Sequence, residues 1–264
     1  MIPHGFRYTR AASLAQAKSL LKGEARLLAG GQSLIPAMKT RLAAPSDLID
    51  ISRLSELSFV RAEKDALAIG AGVTHHAVSV HPDAIRLLPA LALLAGEIGD
   101  PAVRYRGTLG GSLANNDPAA DYPAAALALD AIIRTDRREI AAGEFFLGMF
   151  TTALEEDEII LSVRFSLPQK ASYAKFRNPA SRYALAGVFV ARTAKGARVA
   201  VTGAGPGAFR LPEMEQALEK RFHPSALEGI AVDESLLQSD LHASAEYRAQ
   251  LVKVMARRAV EACL

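Results

Sequence analysis

The chain has 264 residues, of which half are apolar, and a formal net charge of +3. That length can bury a sizeable core in two domains, and the scattered Lys and Arg residues do not mark a nucleic-acid surface or a polybasic membrane surface. The single cysteine, Cys263, excludes an internal disulfide and any multi-thiolate metal site, and the lack of a signal peptide or a long apolar span predicts a cytoplasmic protein.

The first 54 residues predict a small α/β unit. Residues 13–21 and 34–42 have the apolar spacing of helices, and RLLAG (26–30) between them is typical of a buried strand. Further strands are expected at 47–52, 57–63 and 66–72, the last two joined by a hairpin at Lys64-Asp65. Thr74 is then expected to cap a helix.

A longer apolar helical pattern covers residues 84–98 and gives way to residues 99–118, which are too rich in Gly, Asn and Pro to predict a regular element. Loops of more than roughly 12 residues inside a compact domain are usually functional or disordered. Because helix signals flank this one on both sides, we interpret it as a functional loop.

The remaining pattern predicts a helix at 119–128, strands at 130–135, 138–142 and 159–167, and a composition shift after Pro168. Beyond it, residues 173–177, 184–192 and 197–205 favour strands, and residues 212–221 and 245–262 favour helices. We therefore expect an α+β fold. Its first domain covers residues 1–168, with subdomains of about 1–54 and 55–168, and a smaller α+β domain covers 169–264.

Two segments place paired glycines and a serine at the entrance to a helix, LLAGGQSLIP (27–36) and GTLGGSLANNDP (107–118). Gly30 and Gly31 permit backbone conformations that aim successive N–H groups at one point, and the helix start near Ser33 adds positive character. Gly110 and Gly111 repeat this arrangement. One such turn is more often only a tight connection, but two of them favour a site for a pyrophosphate.

The remaining motifs do not indicate a common nucleotide-binding, metal or hydrolase site. Neither glycine segment matches the dinucleotide pattern GxGxxG, and no P-loop pattern occurs. His75, His76 and His81 lack the spacing and the additional ligands of a metal site. Ser33 and Ser112 lack the nucleophile elbow of a hydrolase. The run EEDE (155–158) is most simply a solvated turn.

The two glycine segments extend into a more specific similarity. AGGQSLIPAMKTRLAAPSDLIDIS (29–52) and IGDPAVRYRGTLGGSLANNDPAADYPA (98–124) resemble the FAD-binding medium subunit of the molybdenum hydroxylases, the family of carbon monoxide dehydrogenase and xanthine dehydrogenase. The similarity continues through DEIILSVRF (157–165), KFRNPASRYALAGV (175–188) and the tail. It implies a two-part FAD-binding domain of the PCMH type followed by the C-terminal domain of the family.

The resemblance also implies a set of FAD-binding residues. Asp121 matches an acidic contact, Ile98 and Ile160 match apolar contacts of the flavin ring, and Lys175 matches a cation near it. The simpler readings are a first-turn helix acid, core packing and a solvated strand lysine, respectively. The complete set is Ala29, Gly30, Gly31, Gln32, Ser33, Ile98, Thr108, Leu109, Gly110, Gly111, Ser112, Asp121, Ile160 and Lys175.

The role that the resemblance implies is electron transfer. FAD would take electrons from the 2Fe-2S clusters of a small subunit, after chemistry at the molybdopterin of a large subunit, and pass them to an external acceptor. The assembly is expected to be a dimer of heterotrimers. Two alternatives stay open, a self-contained flavin oxidase or reductase and a non-enzymatic nucleotide-binding module.

Overall fold

The structure is a computed structural model that describes residues 2–264, and no helix in that range is long and apolar enough to cross a membrane. It confirms the expected α+β fold, in which three successive units each contain their own sheet. Their elements follow in chain order.

The first unit is a three-stranded parallel sheet with two short helices. Its elements are β1 (Arg7–Arg10), α1 (Leu14–Leu20), β2 (Arg26–Leu28), α2 (Leu34–Lys39) and β3 (Asp47–Asp50). The strand order is β1-β3-β2, so β2 is an edge strand and is only half-buried. The expectation of a buried strand at this position is therefore wrong. The core of the unit lies under the central strand β3, where Ile49 packs with Ala17 and Leu54.

The second unit contains a five-stranded antiparallel sheet, of order β4-β5-β10-β6-β7, and a layer of helices. Its elements are β4 (Val60–Ala62), β5 (Ala66–Gly70), α3 (His75–Val80), α4 (Pro82–Leu87), α5 (Pro89–Gly96), α6 (Pro101–Arg104), α7 (Leu109–Asn115), α8 (Tyr122–Ala128), β6 (Ile132–Thr135), β7 (Glu139–Ala141), α9 (Ala142–Phe145), β8 (Phe146–Gly148), β9 (Thr151–Thr152) and β10 (Ile160–Ser166). The β4–β5 hairpin and the Thr74 cap are confirmed.

Two predictions for this unit are wrong. The single helix expected at 84–98 is broken into α4 and α5, because Leu88 precedes Pro89 and leaves the helical region with φ −143° and ψ 61°. The stretch 99–118 contains two short helices, α6 and α7, instead of an irregular loop. Side chains of Asp100 and Thr108 cap them by accepting from the amides of Val103 and Gly111.

The third unit is a four-stranded antiparallel sheet covered by two helices. It comprises β11 (Lys170–Arg177), β12 (Ala184–Thr193), β13 (Gly196–Thr202), β14 (Phe209–Arg210), α10 (Pro212–Lys220) and α11 (Ala245–Glu261). The three strands and two helices expected here are confirmed, with β11 starting three residues earlier than predicted. One face of the sheet packs on α10 and α11.

The second and third units share one apolar core. Tyr173 and Phe189 on the third sheet belong to the same buried cluster as Tyr122 on α8. Thr202 also donates its hydroxyl to the carbonyl oxygen of Ala120 at 2.6 Å. The segment that precedes α8 is therefore fixed to the third sheet, which brings this sheet to the edge of the site described next.

Candidate functional site

A cavity of about 630 Å³ lies where the three units meet. Its walls come from residues 26–34 of the first unit, from both ends of α7 and the start of β10 in the second, and from residues 181–183 of the third. A volume of this size falls in the range of small-molecule and cofactor sites, which extends from roughly 300 to 1,000 Å³.

The first glycine motif forms one wall with open backbone donors. Gly31 has φ +74°, which a residue with a side chain adopts only under strain. Among residues 2–264, the amide N–H groups of Gly30, Gly31, Gln32 and Ser33 have no hydrogen-bond partner. Because these residues line the cavity, the motif offers it a row of uncommitted donors of the kind that binds anions.

The two motifs touch through their backbones. A Cβ atom on Gly30 would lie 2.2 Å from the carbonyl oxygen of Arg106 and 2.7 Å from Cα of Gly107. Gly30 does not have a positive φ, so glycine is required there for close approach and not for conformational freedom. Segments separated by almost eighty residues of sequence are thus joined at the cavity.

The second glycine motif differs from the expected open turn. The amides of Leu109 and Gly110 donate to Val73 and Ala71 at 3.0 and 2.9 Å. Those of Gly111 and Ser112 donate to the hydroxyl and carbonyl oxygens of Thr108. The prediction of a second row of free N–H donors is therefore wrong.

Close packing explains the glycine at position 110. A Cβ on Gly110 would lie 2.5 Å from Cβ of Ala71, so only glycine lets α7 lie this close to the end of β5. Thr108, Gly110, Gly111 and Ser112 still line the cavity, whereas Leu109 is fully buried in the core and does not.

Asp121 lines the cavity from beneath α8, but its carboxylate is already engaged. It accepts from the hydroxyl of Tyr173, and the Nζ atom of Lys175 lies 2.9 and 3.0 Å from its two oxygens. Burial raises the pKa of the Asp121 carboxyl, and the Lys175 ammonium opposes that rise. The simpler reading of Asp121 as a first-turn helix acid does not fit these contacts, because Asp121 precedes the first turn of α8 and its side chain makes no capping hydrogen bond.

Lys175 lies behind the cavity wall. Its side chain is fully buried and also donates to the carbonyl oxygen of Glu97 at 3.3 Å. A solvated strand lysine is thereby ruled out, but Lys175 does not line the cavity, and its charge acts on the cavity through Asp121.

Ile98 and Ile160 lie in the apolar part of the wall and also contribute to the main core. Twelve of the fourteen predicted site residues therefore line one cavity. They are Ala29, Gly30, Gly31, Gln32, Ser33, Ile98, Thr108, Gly110, Gly111, Ser112, Asp121 and Ile160.

The loop between β11 and β12 adds cavity residues that the sequence did not indicate, Ser181, Arg182 and Tyr183. Asn178 holds the loop by accepting the amides of Ala180 and Ser181 through its side chain. Arg182 has φ +63°. Tyr183 is half exposed, and burial raises the pKa of its hydroxyl. No periodic pattern in the sequence marks these three residues as part of a site.

Glu158 corrects the interpretation of EEDE as a solvated turn. Its side chain is buried, lines the cavity and forms an ion pair with Arg138 at 2.9 Å. The Arg138 hydrogen bonds hold the pKa of the Glu158 carboxyl at about 2. This ion pair anchors the segment that enters β10, where Ile159 and Ile160 line the cavity. A sequence pattern could not separate this glutamate from its exposed neighbours.

His75 is a further cavity residue. It begins α3 and is 5% exposed, and its amide donates to the carbonyl oxygen of Gly107 at 2.9 Å. Burial lowers the pKa of the His75 imidazole to about 4, with Arg104 acting in the same direction. In residues 2–264, no three His, Cys, Asp or Glu side chains converge as metal ligands.

Comparison with known proteins gives matches over almost the full chain. Residues 4–169 match the family described as FAD binding domain in molybdopterin dehydrogenase, and residues 171–263 match the CO dehydrogenase flavoprotein C-terminal domain. The chain is 35% identical to the carbon monoxide dehydrogenase medium chain of Hydrogenophaga pseudoflava, over 99% of this chain and 98% of that protein.

Two other matches extend the comparison. The nicotine 6-hydroxylase medium subunit of Paenarthrobacter nicotinovorans is 36% identical over 96% of this chain and 95% of that protein. The solved structure of reconstituted CO dehydrogenase from Oligotropha carboxidovorans superposes with a TM-score of 0.92 at 34% identity, covering 100% of this chain and 99% of that one.

Proposed function

The chain belongs to the family of FAD-binding medium subunits of the molybdenum hydroxylases, and from that membership we propose that it binds FAD in the cavity between its three units and works as the electron-transfer subunit of a larger oxidoreductase. The observation that carries the proposal is the single cavity that joins both glycine motifs to Asp121, Ile98 and Ile160.

The residues that line the cavity match the chemical groups of a flavin dinucleotide. The open amides from Gly30 to Ser33 provide donors for a diphosphate, and Gly30 lets the second glycine motif lie directly against the first at the cavity. Ile98, Ile160 and the half-exposed ring of Tyr183 provide apolar surface for a planar ring system. We propose these residues, with the other predicted ones, as the FAD site.

FAD supplies two-electron chemistry that can be divided into single-electron steps between a partner's iron–sulfur cluster and an external acceptor. The work of this chain is to position the ring and to set the charge around it. The buried pair of Asp121 and Lys175 serves the second purpose, because charges act strongly where water is excluded.

The partners we propose are a small subunit with 2Fe-2S clusters and a large subunit with molybdopterin, in two copies of each subunit. An exposed apolar tip next to the cavity wall supports a protein partner. Leu147, Met149 and Phe150 are each about half exposed or more. Asn116, whose two chain neighbours line the cavity, holds this tip by donating to the carbonyls of Gly148 and Thr151 at 2.7 and 2.8 Å.

The division into domains at residues 168 and 169 remains a proposal, supported by the fact that the third sheet is built entirely from residues after it. The cytoplasmic location also stays a prediction. The identity of the acceptor is left to the experiment below.

The first test measures flavin in the purified chain. We expect about one FAD per chain, released by acid or heat, because the site consists of backbone amides, hydroxyls and apolar contacts. Flavin that stayed with the denatured polypeptide would contradict the non-covalent site. A chain that neither retained nor rebound FAD would contradict the proposed function and support the non-enzymatic alternative.

The second test distinguishes a subunit from a self-contained oxidase. The chain is produced alone and together with the proposed large and small subunits, and flavin absorbance is followed after mixing with the substrate of the assembly. We expect rapid bleaching only in the assembly, with the acceptor identified by which oxidant restores the absorbance. Rapid bleaching of the isolated chain by an organic substrate would favour the oxidase.

A further inference from the structure

We propose that His75 is a ligand-binding residue of the cavity, whose neutral imidazole donates an Nε2–H hydrogen bond to a diphosphate oxygen of the bound dinucleotide. The proposal deepens the proposed function and rests on it. It starts from two ring nitrogens that lack partners.

The environment of the His75 ring is unusual for a buried histidine. Nδ1 is fully covered and has no hydrogen-bond partner among residues 2–264. Nε2 also has no partner there but is not fully covered, and the ring lines the cavity. Nδ1 has no route to a partner in the cavity, but Nε2 can be reached from it, and polar groups in a largely buried side chain are nearly always hydrogen-bonded. A molecule bound in the cavity is therefore the available partner of Nε2.

The covered Nδ1 atom determines the tautomer. A proton on Nδ1 would be a buried donor without an acceptor, and orphaned N–H groups are rarer in proteins than unpaired acceptor lone pairs. The favoured form carries its proton on Nε2 and presents a donor to the cavity. The nearby guanidinium of Arg104, which donates to the carbonyls of Ile98 and Gly99, disfavours a second proton on the ring.

The position of the ring indicates the acceptor. A Cβ on Gly107 would lie 2.5 Å from the Nε2 atom of His75, and a Cβ on Gly30 would lie 2.7 Å from Cα of Gly107. Nε2 therefore stands at the junction of the two glycine motifs. The free amides of the first motif are built for an anionic oxygen cluster, so the donor of His75 belongs to the same cluster of contacts.

The affinity test compares three variants in the full chain, with FAD as the probe and calorimetry of the flavin-free protein as the measurement. His75→Leu removes the donor at similar volume and is expected to weaken FAD binding roughly tenfold. His75→Gln keeps an amide donor at similar reach and is expected to stay within roughly threefold of the wild type. His76→Leu is the matched control, because His76 stacks on Tyr105 and does not line the cavity.

A second readout does not depend on any variant. In the wild type with ring-labelled histidine, nitrogen NMR should show the Nε2–H tautomer for His75, and FAD should shift its proton downfield. An Nδ1–H tautomer, or wild-type affinity in a folded His75→Leu protein, would overturn the role of His75 while the proposed function stands. If the wild type itself did not bind FAD, the proposed function and this inference would both be overturned.

Discussion

The two glycine motifs look alike in sequence, yet the structure gives their glycines different tasks. In the first, the amides from Gly30 to Ser33 have no partner within residues 2–264, and all four residues line the cavity. In the second, every amide from Leu109 to Ser112 is bonded within the protein, and Gly110 is small so that α7 can pack on β5. The first motif is open to a ligand, while the second is closed.

Because of this difference, substitutions in the two motifs should affect different properties of the protein. A motif with free donors affects stability little when it is changed but should affect ligand affinity strongly. A motif whose donors are used internally should respond first in the free energy of unfolding. Changes in the two motifs are therefore distinguished by two quantities, the ligand affinity and the free energy of unfolding.

The largest effect is expected at the buried ion pair of Lys175 and Asp121, whose charged groups are bonded within the protein in the same way as the amides of the second motif. Lys175→Met leaves the Asp121 carboxylate buried without its cation, and breaking such pairs costs about 3–5 kcal/mol. Chemical denaturation of the flavin-free chain checks this value. The double variant Lys175→Met/Asp121→Leu removes both charges and should recover most of the loss. A single variant as stable as the wild type would show that the pair is not a structural brace.

The next effect is expected within the closed motif. Gly110→Val places a branched side chain where even a Cβ would lie 2.5 Å from Cβ of Ala71, and overpacking of this kind costs about 3 kcal/mol. Thermal unfolding of the flavin-free chain is the measurement. Gly143→Val is the control, since within residues 2–264 a Cβ at Gly143 would have no atom within 4 Å beyond its chain neighbours and its own helix backbone. Equal melting temperatures for these two variants would contradict the closed motif.

The open motif should respond mainly in affinity. Gly31→Ala and Gly23→Ala both place alanine at a positive φ, +74° and +58°, and each should lose about 1 kcal/mol of stability. The new Cβ at position 31 would also lie 2.7 Å from Cδ1 of Ile35, the end of a flexible side chain that can move aside. Gly23 lies outside the cavity lining. Only Gly31→Ala, which disturbs the free amides, should also weaken FAD binding by roughly tenfold or more. The same affinity in both variants would show that the open amides do not bind the cofactor.

The same contrast explains what the sequence could predict. Gly30 and Gly110 are visible as motifs, and twelve of the fourteen predicted site residues line the cavity. The motif could not reveal whether its amides were free, because that depends on Ala71 and Val73, which lie nearly forty residues earlier. The helix break at Leu88 was predictable from Pro89 and was missed.

The burial of individual polar side chains was the property least predictable from the sequence. Glu158 and its exposed neighbours share one acidic run, and only the ion pair with Arg138 distinguishes it. Sequence analysis assigned His75 and His76 no role, because they lack the spacing and the additional ligands of a metal site, and it did not indicate that His75 lies in the cavity wall. In both cases the position of the residue depends on a contact with a residue distant in the sequence, and the local sequence pattern does not indicate that contact.

The smallest effect concerns the imidazole of His75, which packs against the start of the closed motif. Its pKa falls from 6.5 to about 4 on folding, chiefly through burial, so below pH 6.5 the unfolded chain takes up a proton that the folded chain does not. Stability therefore falls as pH drops from 6.5 towards 4. Between pH 7 and pH 5.5 the wild type should lose about 1 kcal/mol more than His75→Leu.

Denaturation of both proteins at the two pH values measures this difference, and the comparison cancels the contributions that they share. The carboxylates of Glu158 and Asp50, with pKa values of about 2, lose their stabilising effect only at lower pH, as it falls through those values. Arg104 and the hydroxyl of Tyr122 face His75, and burial raises the pKa of the Tyr122 hydroxyl, so that it stays neutral throughout this interval. Parallel stability curves for the two proteins from pH 7 to pH 5.5 would mean that the His75 imidazole keeps an ordinary pKa in the folded chain, as a solvated ring does, and would contradict the lowering of its pKa by burial.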